Sequence, residues 1–355
     1  MKFRFLLVAT LSALFIPSVV FADVIVCDFD GDEILRYDDE GNFLGTIVEA
    51  GSGPLDGPSA VEIGPDGLLY VASFNNDAIF RYSYPCGAFL GNFAIGGNLQ
   101  EVRDLTFGPD GQLWVADANE IKRFDAATGQ FLGVIVFINS INDDFQKMRF
   151  EPTSNDLFVS FQGFFGASFS TIARLSFDFD PEVFIEEVYQ IDFGGGTEAF
   201  AFGPGLGAEG DLFISSSASD GSIERYDLLS GDFLQTFSFI APDGSLDMEI
   251  GPDSDFFLQS LTGEGENRID RYDGTTGLFS EVFIGDLPSA PFEFDFVENP
   301  IVLGDVNLDG CVDLLDVQPL VALLTSGKFQ AEADVNGDGV VNLLDVGPFV
   351  DLLTG

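Results

Sequence analysis

The stretch that decides the fold is residues 105–137, LTFGPDGQLWVADANEIKRFDAATGQFLGVIVF. It holds four short apolar runs, Leu105–Phe107, Leu113–Ala116, Ile121–Phe124 and Phe131–Phe137. They are cut by the turn sequences Gly-Pro-Asp-Gly, Asp-Ala-Asn and Ala-Thr-Gly. Alternating runs this short, rich in Phe, Val and Ile and bounded by Gly, Pro, Asp and Asn, predict strands joined by tight turns. Trp114 falls in the middle of one run and is expected in the core.

The same unit recurs from Asp23 to about Pro300. One mark is Arg36-Tyr37-Asp38, Arg81-Tyr82-Ser83, Arg123-Phe124-Asp125, Arg174-Leu175-Ser176, Arg225-Tyr226-Asp227 and Arg271-Tyr272-Asp273. Another is an apolar residue before Gly-Pro or Glu-Pro, at Ile63, Phe107, Phe150, Phe202 and Ile250. Six copies of one feature read as scaffolding, with the aromatic packed between units and the charges outward. The period is about 42 to 52 residues, and four strands at that period make one blade of a β-propeller. A parallel β-helix or a sandwich would have shorter, more uniform turn spacings. The first unit, Val24 to Val48, holds only three strands, and Phe292–Val297 (FEFDFV) is placed to supply the missing innermost one. The fold class is therefore mainly β, a six-bladed propeller over residues 23–300. Leu69–Asn76 and Leu113–Asn119 resemble blades of the NHL and related six-bladed propeller families.

The C-terminal region follows other rules. Residues 305–316 read DVNLDGCVDLLD and residues 334–345 read DVNGDGVVNLLD, two copies 29 residues apart. Each sets oxygen side chains at loop positions 1, 3, 5, 9 and 12 with glycine at position 6, the spacing of a twelve-residue calcium loop. The candidate ligands are Asp305, Asn307, Asp309, Asp313 and Asp316 with the Cys311 carbonyl. In the second copy they are Asp334, Asn336, Asp338, Asn342 and Asp345 with the Val340 carbonyl. Two Ca²⁺ ions are expected. Leu314, Val317, Val321 and Leu324, and again Leu343, Val346, Val350 and Leu353, recur at helical spacing, so each loop runs into an amphipathic helix. No comparable helix precedes either loop, and Pro319 and Pro348 belong in first turns.

Loop-plus-helix units in duplicate, with Asp at position 12, closely resemble the type I dockerin module, over about residues 303–355 within a small all-α domain at 301–355. The resemblance implies a calcium-folded extracellular module that docks onto a cohesin-like domain of a scaffold or cell-surface protein. Partner-reading positions 10 and 11 are a small hydroxyl pair in well-known dockerins but Leu314-Leu315 and Leu343-Leu344 here. These leucines either meet the partner or pack the two halves together.

Lys2 and Arg4 precede an apolar run from Phe5 to about Ile16, and Val20-Phe21-Ala22 ends in small-residue cleavage chemistry. Residues 1–22 thus read as a secretory signal peptide, and no later stretch reaches membrane length. The chain has 14 Lys plus Arg against 59 Asp plus Glu, net −45. Without Lys2 and Arg4 the balance is 12 against 59, or −47. Such a chain repels nucleic acid and anionic lipid and attracts cations. It contains no histidine, which excludes Ser-His and Cys-His nucleophiles and histidine-bound zinc. Cys27, Cys86 and Cys311 are too few and scattered for a disulfide framework. Cys27 and Cys86 would pair only if the fold made them neighbours, and unpaired thiols are expected.

Repeat alignment sets Arg103, Asp104, Lys147, Glu198 and Asp247 near the mouth of the propeller channel, a mixed ring that either grips a carbohydrate, a peptide or a metal ion or is a hydrated charged rim that binds nothing specific. Asp28-Phe29-Asp30-Gly31-Asp32-Glu33 reads as a solvated acidic turn, lacking the position-12 carboxylate of a third calcium loop. No catalytic set is assigned. The leading reading is a docking protein whose propeller serves as a recognition or structural surface. The alternative is a polysaccharide-degrading enzyme using paired carboxylates in the channel.

Overall fold

The structure, a computed structural model, describes residues 22–137, 143–163, 169–178, 183–194, 199–203, 210–215, 222–237, 247–261, 267–288, 291–298 and 302–354. Residues 1–21 of the expected leader, and Glu198, lie outside the described residues.

Six four-stranded antiparallel sheets make the six blades. Blade 1 is Pro291–Glu298, Ala22–Asp28, Glu33–Tyr37 and Phe43–Val48, and blade 2 is Pro58–Ile63, Leu68–Ser73, Ala78–Ser83 and Phe89–Ile95. Blade 3 is Val102–Phe107, Leu113–Asp117, Glu120–Phe124 and Phe131–Phe137. Blade 4 is Asp143–Phe150, Leu157–Gly163, Phe169–Asp178 and Val183–Gly194. Blade 5 is Phe200–Gly203, Asp211–Ser215, Ile223–Asp227 and Phe233–Phe237, and blade 6 is Met248–Ile250, Phe256–Leu261, Asn267–Tyr272 and Phe279–Ile284. The first strand of each blade is innermost. The closing strand is the one the sequence points to: Pro291–Glu298 pairs with Ala22–Asp28 from Ala22↔Glu298 to Asp28↔Pro291.

The core is divided into six wedges, one between each pair of neighbouring blades. Second strands such as Leu113–Asp117 are buried on both faces, because each sheet packs against a blade on either side. That is why the second-strand runs are continuously apolar, against the alternation expected of the unit as a whole. Trp114 is fully buried and meets Phe150 and Phe177 edge-on across the blade 3–blade 4 interface. The Gly-Pro-Asp-Gly turns need their first glycine for lack of space: a Cβ on Gly64 would lie 2.6 Å from the Tyr70 ring.

The Arg-aromatic repeats are scaffolding, but their charges do not point outward. Arg36 gives its Nε to Asp23 at 2.6 Å, Arg174 to Asp156 at 2.7 Å, and Arg271 to Asp255 at 2.8 Å. Arg225 pairs likewise with Asp211. In these four blades the third-strand arginine is neutralised by an aspartate in or just before the second strand, and Arg36, Arg123 and Arg174 are buried. Sequence alone cannot show this, since the two partners lie 13 to 18 residues apart.

The C-terminal domain has two short helices, α1 (Val317–Ser326) and α2 (Val346–Thr354). Pro319 and Pro348 sit in their first turns. Gly327 ends α1 with φ 65° and returns its N–H to the Leu323 carbonyl, the usual left-handed stop. Val306, Leu320, Ala333, Val341 and Phe349 form a separate small core. The expectation of unpaired cysteines is overturned: Cys86 and Cys311 form a disulfide across 225 residues, joining blade 2 to the C-terminal domain. Cys27 is free and buried, so Cys27 and Cys86 do not pair.

Phe294, wholly buried on the closing strand against blade 6, tests the closure. Phe294→Ala should cost about 3–5 kcal/mol in urea unfolding. Leu229→Ala, at an exposed turn, should change stability by less than about 0.5 kcal/mol. Equal effects would mean that the ring does not depend on its closing strand.

Candidate functional site

The two acidic loops have the same internal wiring. In the first, Asp305 accepts the N–H of Asp309 at 3.1 Å and of Gly310 at 2.9 Å. In the second, Asp334 accepts those of Asp338 at 3.0 Å and Gly339 at 2.7 Å. Position 12 closes each loop. Asp316 Oδ1 accepts from Val306 and Asn307 while Oδ2 accepts from Asp313. Asp345 accepts from Asn336 and Asn342. Asp309 and Asp338 cap their own turns through the N–H groups of Cys311 and Val340. Gly310 and Gly339 adopt φ of 96° and 84°, a region that a Cβ disfavours. The turn geometry thus explains both glycines.

Asp316 and Asp345 are 0% exposed and Asp305 and Asp334 are buried. Among the described residues, no lysine or arginine forms an ion pair with either loop. Burial pushes the Asp305 carboxyl up to about 6, with Asp316 and Asp309 adding to the rise and the Gly310 N–H and the nearby Arg36 charge opposing it. Buried carboxylates without a paired cation are costly unless something neutralises them. A carboxylate has about four acceptor positions, and Asp305 uses two on backbone amides. Its remaining lone pairs, with those of Asn307, Asp309 and Asp313, make an all-oxygen donor set that suits a hard cation such as Ca²⁺. The domain fits the ion its spacing implies.

The leucine pairs do not pack the two halves together. Leu314, Leu315, Leu343 and Leu344 are 78%, 66%, 79% and 68% exposed. The small core instead takes Leu320 from α1 and Phe349 from α2, one position off the stripe expected from periodicity. Val317, Val321 and Val350 are exposed too. Leu324 and Leu353 of the expected stripes do pack against this core, so helical spacing found the inward residues late in each helix and missed those at its start.

The channel is the second charged centre. The structure brings Asp104, Lys147 and Asp247 together, while Arg103 stays at the rim with Asp144 and Gln146. Lys147, on the innermost strand of blade 4, reaches Glu293 of blade 1 at 2.8 Å and Asp247 beside blade 6 at 3.5 Å. Blades 4 and 1 are opposite one another in the ring, so this pair crosses the axis. Arg149 reaches Glu249 of blade 6, two blades away around the ring. Asp104 accepts the Met148 N–H at 2.6 Å and Asp247 the Phe294 N–H at 2.9 Å, each tying one innermost strand to the next. Glu62, Arg149, Glu249, Glu293 and Asp295 were not picked from sequence. Their signal was charge alternating with Phe and Met in the innermost strands, as in Phe292–Phe296. A cavity of about 330 Å³ lies here, lined by Glu62, Asp104, Thr106, Arg149, Glu293 and Asp295 among others. The acidic turn at Asp28–Glu33 is a blade turn: Asp28 accepts the Gly31 N–H and Asp32 that of Gly57.

Paired acidic loop-helix units carried by a closed propeller are the class this geometry defines. Residues 303–347 match the dockerin type I domain family, and the chain carries a type I dockerin domain behind its six-bladed β-propeller. Domains of this family bind calcium and dock proteins to one another outside the cell. No curated protein matches the chain. Among solved structures, one chain of a nidogen/laminin complex is similar at 10% identity and TM-score 0.56, covering 74% of this chain and 93% of that one. A protein of unknown function from Bacteroides caccae is similar at 11% identity and TM-score 0.56, covering 79% and 100%. Such identities concern the fold alone. No helix among the described residues is long and apolar enough to cross a membrane.

Glu62 and Asp295 form no ion pair among the described residues, and burial pushes each up to about 7. Unfolded, both release their protons near their ordinary values of 4.5 and 3.8. The folded chain therefore holds more protons between about pH 4 and 7, and these groups make it less stable as pH rises through that window. Glu62→Gln removes one contribution. Its melting temperature should gain on the unaltered chain from pH 5 to pH 8 at fixed calcium, and a constant gap would show that Glu62 is ionised throughout.

Proposed function

We propose that this is a secreted calcium-dependent docking protein whose propeller serves as a recognition or structural surface. The observation that carries the reading is the exposed leucine stripe on both loop-helix units. Contiguous exposed apolar side chains on an otherwise acidic chain are a liability unless a partner covers them. Burying one such leucine contributes about 1.5–3 kcal/mol, so the four supply a binding core for a cohesin-like domain of a scaffold or cell-surface protein.

Two Ca²⁺ ions are proposed, one per loop. Asp305, Asn307, Asp309, Asp313, Asp316 and the Cys311 carbonyl hold the first. Asp334, Asn336, Asp338, Asn342, Asp345 and the Val340 carbonyl hold the second. When bound, calcium neutralises the clustered carboxylates and orders each loop against its helix. The Cys86–Cys311 disulfide and the leader-like residues 1–22 support an oxidising, extracytoplasmic setting.

A carboxylate-dependent polysaccharide hydrolase in the channel is the competing reading, favoured by the acid-lined cavity. Lys147 and Arg149 favour the scaffold instead. Lys147 spans the axis, and together the two cations tie up Asp247, Glu249 and Glu293, acids a hydrolase would need facing its substrate.

Calorimetric titration of the whole chain should find two calcium ions with Kd below about 1 mM. Asp305→Ala with Asp334→Ala should abolish uptake and lower the helical circular-dichroism signal. Leu314→Asp with Leu343→Asp should keep calcium binding and lose at least about tenfold in affinity for a cohesin-like domain. Calcium uptake with partner binding indifferent to these leucines would move the docking surface elsewhere.

A further inference from the structure

The two loops are near copies in sequence, yet their surroundings differ. Gly310 is buried while its counterpart Gly339 is exposed. A Cβ on Gly310 would lie 2.9 Å from Arg36 Nη1 and 3.0 Å from both the Cβ and the carbonyl oxygen of Pro85. On Gly339 it would meet nothing within 4 Å. The next residue, Cys311, is bonded to Cys86 in the turn between the third and fourth strands of blade 2, whereas its counterpart Val340 is 56% exposed. Arg36 is 4% exposed and gives its Nε to Asp23. Among the described residues its Nη1, the atom beside Gly310, has no hydrogen-bond partner. The first loop is thus pressed against blades 1 and 2, and the second is open.

From this asymmetry we infer that the first loop is an interdomain calcium site, whose ion fixes the docking module against the propeller. The second loop's ion serves only the module's own fold. The inference rests on the calcium reading proposed above and adds a division of labour between the ions.

The physical link is Cys311. Its carbonyl occupies position 7 of the loop and its sulfur is tied to blade 2, so one backbone conformation sets both the ligand geometry and the seat on the propeller. Two events that share a conformation are coupled, and the coupling is reciprocal. If the disulfide and the Pro85 contact hold the loop in its metal-ready shape, the ion in turn holds the loop on the propeller. In the second loop, Val340 has no such attachment, and its metal binding is uncoupled from the ring.

The test uses the full chain. Asp334→Ala leaves only the first loop able to take calcium, and Asp305→Ala leaves only the second. Calcium titrations of each are compared with the disulfide intact, after reduction by a phosphine, and in a Cys86→Ser, Cys311→Ser background. Cutting the bridge should weaken the first loop on the order of tenfold and leave the second within about twofold. Hydrogen exchange should show amides of the 83–88 turn opening when calcium leaves the first loop, and not when it leaves the second. Unchanged affinity of the first loop on reduction, equal weakening of both, or a turn indifferent to calcium would each overturn the inference alone. No uptake by the unaltered chain would overturn the calcium reading, and this inference with it.

Discussion

The ring depends on one pairing between the two ends of the propeller sequence. Ala22–Asp28 has no innermost neighbour of its own and takes Pro291–Glu298 instead. A six-bladed ring built from consecutive four-stranded units could close through side-chain packing alone. Offsetting the repeat by one strand adds a run of backbone hydrogen bonds across the seam, where opening would otherwise be easiest. Phe294 and Phe296 complete the join by packing against blade 6. The same offset ends the propeller on the innermost strand of blade 1. The dockerin that follows lies against blades 1 and 2, where Arg36, Pro85 and Cys86 receive it.

Charge is handled by location. The chain has 14 lysines and arginines against 59 acids, and ten of those cations hold ion pairs inside the described propeller: Arg36, Arg103, Lys122, Arg123, Lys147, Arg149, Arg174, Arg225, Arg268 and Arg271. Buried pairs need both partners, since losing one leaves an uncompensated charge. Positive charge is spent internally on third strands and across the channel, and the outer surface keeps the acids. This makes the surface hostile to nucleic acid and receptive to divalent cations. The dockerin loops concentrate that property, because among the described residues their buried aspartates form no ion pair, with Arg36 only beside the first loop, and they suit a metal.

How much of this was legible depended on the range of the interaction. The blades, the closing strand and the calcium loops are written in local spacing, which a single sequence displays. Trp114 was legible for the same reason, since a mid-strand aromatic flanked by Val115 and Ala116 has few other places to go. The Cys86–Cys311 bridge was not, because a turn in blade 2 and a loop 225 residues later meet only once the ring has closed. The outward leucines were half legible. Periodicity selected Leu314, Val317 and Val321 as a stripe, and the competing choice of Leu320 and Phe349 for the core is a matter of volume. The cross-axis pairs were hidden by sequence distance, 146 residues between Lys147 and Glu293.

The attachment of the dockerin also decides which surface of the propeller is free. Successive turns of an antiparallel blade lie at opposite ends. The turn holding Cys86 joins the third and fourth strands of blade 2, so the turn at Phe74–Asn76, between the second and third, lies on the far face. There Phe29 stacks on Phe292 and meets Phe74 edge-on, and the Arg103 guanidinium lies over Phe74 at 5.3 Å. With the first acidic loop seated against one face, this aromatic and charged mouth points the other way. For a module whose task is attachment, a rigid seat preserves that orientation where a flexible linker would not. The buried glycine, the unpartnered arginine nitrogen and the disulfide then have a common physical reason.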